Sequence, residues 1–328
     1  MQSIGPDVLD KRADKRKVIH VAVAVILGED GRILLARRPE NKHMGGLWEF
    51  PGGKVESGED VQTALNRELH EELDIQVSTF MPLIKVRHDY SDKSVLLDTW
   101  VVGGITGEPK GNEGQLIQWV EKQSLVRYQF PEANKVILRA LQLPDRYMIT
   151  GYFNDEETLF KKVSSALSAG VRLIQFRAHW LDESEYLKLA RRLSKRVQTQ
   201  GGTLIIKGRL SLLMEPWCHG LHLTSHQLGL AVTPERRHAD QLLVASCHDE
   251  KQIKYSEVMT VDFITVSPVK PTQSHPGAKP LGMDQAAKLT ETATVPVFWL
   301  GGMSLDDIKG ARRLGAQGVA AIHEFWGC

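Results

Sequence analysis

The sequence has no long apolar run, no surplus of either charge and no cysteine framework, and each absence closes off a class of function. No 18 consecutive apolar residues occur, and no charged, apolar and small-residue opening reads as a secretory signal, so neither a membrane span nor export is expected. Lys plus Arg number 41 against 40 Asp plus Glu, a formal net charge of +1. Without a global positive field, neither a polymeric nucleic acid nor an anionic membrane is an expected partner. The three cysteines, Cys218, Cys247 and Cys328, form no CxxC pair and no metal-ligand spacing. An odd number cannot all pair internally, which points to a reduced, cytoplasmic setting. What remains is a globular composition, 42% hydrophobic and 25% charged, with neither a collagen-like nor a disordered bias.

A chain of 328 residues accommodates two domains of roughly 150 residues each. Residues 1–17 are polar, include KRADKRK and read as a flexible tail. From Val18 the runs VIHVAVAVIL and RILLARR flank a turn at Gly28 to Gly31 and predict a hairpin. A helix follows from Val61 to Leu73, then strands near Phe80–His88, Leu96–Gly103 and Leu116–Val120, then a helix from Glu132 to about Leu143 that Pro144 stops. The domains expected are therefore 18–144 and 145–328. In the second, eight short apolar runs (RYMIT, RLIQFRA, GTLIIK, GLHL, QLLVAS, DFITV, PVFWL, GVAAI) alternate with amphipathic stretches, clearest at Glu156–Ala169, Glu183–Thr199 and Leu305–Leu314. That rhythm predicts a parallel βα barrel, with a doubly wound open sheet as the alternative. The segment is shorter than the ~250 residues typical of such barrels, so some helices must be short or missing.

The most informative segment is GGKVESGEDVQTALNRELHEELDI, Gly52 to Ile75. On a helix turning about 100° per residue, Glu68, Glu71 and Glu72 share one arc beside an apolar stripe of Leu65, Leu69 and Leu73. Like charges so spaced cost about 0.2–0.5 kcal/mol per pair, and a bound cation removes that cost. An oxygen-only donor set suits Mg²⁺, and Gly52 and Gly53 would let backbone groups approach the same ion. Taken alone, Glu-Leu-His-Glu-Glu reads as a solvated helix face.

The wider spacing decides between these readings: Gly53, five residues, Glu59, seven residues, Arg67-Glu68-Leu69, one residue, Glu71-Glu72, one residue, Asp74-Ile75. It resembles the Nudix box and departs from it at Asp74, where the family has glycine. The resemblance implies a Nudix α/β/α sandwich with Mg²⁺, or Mn²⁺, as cofactor. Glu68, Glu71 and Glu72 would ligate the metal and Glu59 and Arg67 would position loop and helix, for attack of water on a phosphorus. The segments LLARRPENKHMGGLWEFPGGK (Leu34–Lys54), GEPKGNEGQ (Gly107–Gln115) and FPEANKVI (Phe130–Ile137) are further similar to the MutT-type branch. Its members hydrolyse oxidised guanine nucleoside triphosphates such as 8-oxo-dGTP, which protects DNA replication and places them with DNA repair. By that resemblance Asn134 reads the purine edge, Arg37 and Phe50 line the nucleotide pocket, and Glu113 joins the metal site. Asn134 is equally placed to cap a helix. Asp98 and Thr99 stand where the branch has apolar or aromatic residues, and ADP-ribose or a dinucleotide is the rival substrate.

In the second half, RLIQFRAH, GLHL, VASCH, DFITVSPVKPTQSH and PVFWLGGM resemble thiamine-phosphate synthase and the related thiazole tautomerase, which implies a short TIM-type (βα)8 barrel. The synthase pattern has Gln-Leu-Arg-x-Lys where this chain has Gln175 to His179. It has Asn-Asp-Arg where Lys207-Gly208-Arg209 stands, and a metal-binding aspartate where Gln227 stands. Losing both carboxylates argues against a dication and against synthase activity. The tautomerase histidine is replaced at Ser267-Pro268, with His275 as a displaced acid or base or a solvated loop residue. The anion-binding residues that survive are Arg177, Lys207, Ser267, Thr272, Ser274, Lys279 and the pair Gly301-Gly302, whose other reading is a simple βα turn. The expected function is a nucleoside triphosphate pyrophosphohydrolase carrying a degenerate phosphate-binding or regulatory barrel. The alternative is a thiamine-pathway protein whose Nudix domain trims a pathway pyrophosphate.

Overall fold

The structure, a computed structural model, describes residues 18–41, 44–90, 93–229, 234–235, 238, 240–272 and 277–327. The segment 1–17, Ser274, His275 and Cys328 lie outside these. The chain separates into two compact units that part between Gln142 and Leu143.

In the N-terminal unit, β1 (Val18–Leu27) is apolar on both faces: Val23 and Val25 point one way, Ala22, Ala24 and Ile26 the other. A strand with two apolar faces needs a covering layer on each. It runs through a seven-stranded sheet, parallel to β6 (Ser94–Gly103) and antiparallel to β2 (Ile33–Arg37) and β4 (Gly52–Lys54). The other strands are β3 (Trp48–Glu49), β5 (Thr79–Asp89) and β7 (Ile117–Val120). Helix α1 (Val61–Leu73) covers one face with Leu65, Leu69 and Leu73, all fully buried, while α2 (Glu132–Gln142) covers the other with Ile137 and Ala140. Each such leucine stabilises the fold by about 1.5–3 kcal/mol. The expected hairpin forms only over Ile26↔Leu34 and Leu27↔Ile33, because β4 occupies β1 from Val21 to Val23. Both β3 and β4 are too short to show a period.

The C-terminal unit is an eight-stranded parallel barrel, in the order β10 (Thr203–Ile205), β9 (Leu173–Gln175), β8 (Arg146–Ile149), β15 (Gly318–Ala321), β14 (Val297–Leu300), β13 (Phe263–Val266), β12 (Leu242–Cys247), β11 (Gly220–Leu223). It closes where Ile206, just past β10, bridges Leu221: Ile206 N–H donates to Gly220 O at 2.9 Å and His222 N–H to Ile206 O at 2.8 Å. Closure excludes the open doubly wound sheet. Tyr147, Leu173, Ile205, Val244, Phe263 and Phe298 form a buried cluster whose members all lie outside the described helices, so they fill the interior. The alternate residues Met148, Ile174 and Leu204 pack with the helices α3 (Glu156–Ser168) and α4 (Glu183–Thr199). The barrel is short because the β10–β11 connection holds only a 3₁₀ turn, Leu210–Met214, and the next helix is the single turn Ser225–Leu228. Among the described residues no helix is long and apolar enough to cross a membrane.

Candidate functional site

The carboxylate helix starts at Asp60, whose side chain accepts from Thr63 N–H at 2.8 Å, and ends at Asp74, whose backbone is left-handed at φ 58° and ψ 35°. This is the position where the box has glycine. Aspartate sustains the same cap, its N–H donating to His70 O at 3.0 Å. The orphan carbonyls of the last turn are taken by the loop of residues 107–115: Lys110 N–H donates to Leu73 O at 2.9 Å, Asn112 N–H to Glu72 O at 3.0 Å and Gln115 Nε2 to Glu72 O at 2.9 Å. Gln115 Oε1 also accepts from Glu113 N–H at 2.8 Å, so the same loop carries Glu113 into the field of Glu72.

On the other side, β4 lies against α1. A Cβ at Gly53 would overlap the Glu68 carboxylate, and Gly52 N–H donates to Glu72 Oε2 at 3.3 Å. Arg67 ties the pieces together: Nη2 meets Glu59 Oε1 at 2.7 Å and Lys54 O at 2.9 Å, while Nη1 meets Glu68 Oε1 at 2.9 Å and Glu71 Oε2 at 3.4 Å. The guanidinium beside Glu59 holds that carboxyl below its usual range. Glu72 behaves oppositely. Burial pushes it up to about 7, against the Gly52 N–H and with help from the charges of Glu49, Glu68 and Glu113. Among the described residues no three His, Cys, Asp or Glu side chains are arranged to hold a metal ion, and Glu68 and Glu71 bond Arg67 instead. By donor chemistry the cluster suits a hard divalent cation, being all carboxylate and backbone oxygen with a buried member that a positive charge would relieve.

Beside this cluster a cavity of about 170 Å³ is bounded by Arg38, Glu49, Phe50, Gly52, Tyr90 and Asn134, among others. Phe50 is almost fully buried and stacks on Phe130 at 5.4 Å between centroids. Asn134 caps nothing: it lies inside α2, its backbone N–H donates to Pro131 O at 2.9 Å, and among the described residues no hydrogen bond engages its side-chain amide. Arg37 is not in this lining. Its Nε reaches Gly46 O and its Nη2 reaches Glu40 Oε1, both at 3.0 Å, while Arg38 enters the lining and pairs with Glu49. Adjacent residues of an extended chain point to opposite sides, so a shift of one residue decides which arginine enters. Asp98 also stands outside the lining, bonded to His20 at 3.0 Å, Lys85 at 3.2 Å and Trp100 at 2.8 Å. Glu49 and Arg38 were legible only as members of a matching segment, since neither sits in a periodic pattern.

The barrel has a cavity of about 820 Å³ at the C-terminal ends of its strands, where ligands of such folds bind. The inward period of two predicts its lining: beyond Leu173 come Gln175 and Arg177, beyond Ile205 comes Lys207, and beyond Val244 comes Ser246. His222 joins Tyr147 Oη at 3.0 Å and Ser246 Oγ at 2.8 Å. Burial, with the charge of Lys207 second, holds it well below the ordinary histidine range. In the sequence neither this histidine nor His248 stands out from the apolar runs GLHL and VASCH that contain them. Ser267, Thr272, Gly301 and Gly302 also line the cavity, but Lys279 does not. The glycine pair serves packing as well: both residues have positive φ (98° and 62°), and a Cβ on either would strike Pro268 or the 270–271 segment.

A carboxylate-bearing helix under a two-glycine strand, and separately a closed parallel barrel with a polar mouth, define a hydrolase domain fused to a (βα)8 domain. A NUDIX domain model matches residues 22–140 and a thiamine monophosphate synthase model residues 146–325, so the chain belongs to the Nudix family in its first half and to the thiamine monophosphate synthase family in its second. The first half is 36% identical over 126 residues to the 8-oxo-dGTP diphosphatase of Escherichia coli (38% of this chain, 98% of that protein). It is 37% identical over 124 residues to the CTP pyrophosphohydrolase of the same organism (38% and 91%). The second half is 31% identical over 185 residues to a provisionally named thiamine-phosphate synthase 2 of Aquifex aeolicus (56% and 99%).

Proposed function

We propose that the Nudix domain hydrolyses 8-oxo-dGTP to 8-oxo-dGMP and pyrophosphate, and that the barrel holds a phosphorylated small molecule without making thiamine phosphate. The observation that carries the first part is the unengaged amide of Asn134 at a cavity with Phe50 in its wall. Guanine presents two acceptors, O6 and N7, on this edge. Oxidation at C8 turns N7 into an N–H donor, and a single amide can then accept from N7–H and donate to O6. The cavity is smaller than the ~300–1,000 Å³ of whole-ligand pockets, which suits a base with its sugar and phosphates outside.

Glu68, Glu71, Glu72, Glu113 and the Gly52 carbonyl would hold Mg²⁺ or Mn²⁺. Once bound, the cation supplies an activated water and offsets the charge on the leaving group. The chain contributes position. Arg67 locks the 54–59 loop to the helix through Glu59 and the Lys54 carbonyl. Gly53 leaves room for Glu68, and the 107–115 loop brings Glu113 to Glu72.

Membership of the second half in the thiamine monophosphate synthase family favours a second reading, in which the Nudix domain cleaves a thiamine-pathway diphosphate. A hydrolysis screen separates the two by comparing kcat/KM for 8-oxo-dGTP, dGTP, CTP, ADP-ribose and thiamine diphosphate with Mg²⁺. Preference for 8-oxo-dGTP, reduced about 10–100-fold toward the dGTP level in Asn134→Ala, supports the first. Preference for CTP or ADP-ribose removes the oxidised-purine assignment, and preference for thiamine diphosphate replaces it with the second.

A further inference from the structure

The barrel lacks both carboxylates that its family pattern uses to bind a metal, Gly208 and Gln227 standing in their places, and carries Lys207 beside the first of them. Strands β9 and β10 pair in register, Leu173 with Thr203 and Gln175 with Ile205. Past the last pair the Tyr186 hydroxyl bridges the two chains, accepting from Lys207 N–H and donating to Phe176 O, both at 2.9 Å, and Arg177 and Lys207 both line the cavity. Two like charges in one cavity repel, and among the described residues neither side chain has an anionic partner. The carboxylate in the lining, Glu324, accepts from Leu305 N–H at 3.3 Å. Burial, and then Arg177, holds the Lys207 ammonium below the usual lysine range.

The two positions that match the synthase metal ligands are closed to a cation. Gly208 has no side chain, and a Cβ there would overlap Leu212. Gln227 spends its amide within the fold: Nε2 donates to Gly208 O at 2.8 Å, and Oε1 accepts from Thr224 N–H at 2.9 Å and Thr224 Oγ1 at 3.1 Å. A direct hydrogen bond therefore joins the places where two carboxylates would flank a dication, and a lysine has appeared beside them.

We infer that the barrel seats a phosphate or diphosphate group between Arg177 and Lys207 with no divalent cation, the side chain of Lys207 supplying the charge that a metal would otherwise bring. The ligand class is a small organic phosphate ester or diphosphate, since the cavity of about 820 Å³ has room for an organic part. The inference rests on the phosphate-binding reading of the barrel and goes beyond it in excluding the metal.

The test is a calorimetric titration of the full chain with inorganic pyrophosphate in EDTA and again with excess Mg²⁺, for the wild type, Lys207→Gln and Arg177→Gln. Circular dichroism checks that each variant is folded, and only the heat lost in the variants is ascribed to the barrel. Binding in EDTA that weakens at least tenfold in either folded variant and does not tighten with Mg²⁺ is the expected result. Variant-sensitive binding that appears only with Mg²⁺, or tightens tenfold with it, overturns the metal-free site and leaves the phosphate-binding barrel standing. No variant-sensitive binding under either condition overturns both.

Discussion

Replacing Gly53 with alanine puts a methyl group where the Glu68 carboxylate lies. The obstructing atoms are the end of a flexible side chain, so the carboxylate can swing away while the backbone stays. The loss to the fold is then mainly the Arg67–Glu68 ion pair, whose side chains are 26% and 15% exposed. Such a pair contributes about 0–1 kcal/mol. Alanine returns about 0.4–1 kcal/mol by restricting the unfolded chain, so stability should change by no more than about 1 kcal/mol. Catalysis should fall much further, because moving a reacting group by about 1 Å costs on the order of 10²-fold. Gly52→Ala is the contrasting control. There φ is 145° and the Cβ would overlap the carbonyl of Ala22 in the central strand, which cannot yield, so a loss of about 1–3 kcal/mol or more is expected. The assay pairs kcat for pyrophosphate release at saturating Mg²⁺ with urea unfolding of both variants. A Gly53→Ala enzyme with kcat within twofold of wild type, or one as destabilised as Gly52→Ala, would refute the reasoning.

Glu71 is well exposed, so Glu71→Gln should leave unfolding unchanged and lower turnover at least ~10²-fold; a near-normal rate would remove the carboxylate helix from catalysis. Asp74→Gly relieves a left-handed non-glycine residue and should stabilise the Nudix domain by about 0.5–1 kcal/mol, seen as a higher midpoint of its unfolding transition; a lower midpoint counts against the cap. His222 is held well below its ordinary value of 6.5, first by burial and then by Lys207. The folded barrel therefore refuses a proton that the unfolded chain accepts below 6.5. Stability is fully present above that pH and is lost as pH falls below it, by up to about 1.4 kcal/mol per unit. The stability advantage of wild type over His222→Gln should accordingly shrink from pH 7 to pH 5.5, and an equal advantage at both values contradicts the assignment.

Much of this architecture is local in origin. The i, i+3, i+4 array of Glu68, Glu71 and Glu72 over Leu65, Leu69 and Leu73, and the eight short apolar runs of the second half, are periodic signals that need no knowledge of distant residues. Helix α1 forms over Val61–Leu73 as its pattern predicts, and each of the eight runs becomes a barrel strand. Periodicity does not report which strand edges meet or which side of an extended segment faces a cavity. The choice of Arg38 over Arg37, the release of Asn134 from capping and the withdrawal of Asp98 into a part-buried cluster with His20 and Lys85 all depend on such placements. The same holds in the barrel, where Arg177 and Lys207, thirty positions apart, meet in one cavity and the Gln227–Gly208 bond joins two loops. The longer elements and the carboxylate helix are fixed by spacing along one chain, which two- and three-residue strands such as β3 and β4 are too short to display. The tertiary structure alone decided which charges share a cavity and which are spent on packing, because those follow from contacts between residues tens of positions apart.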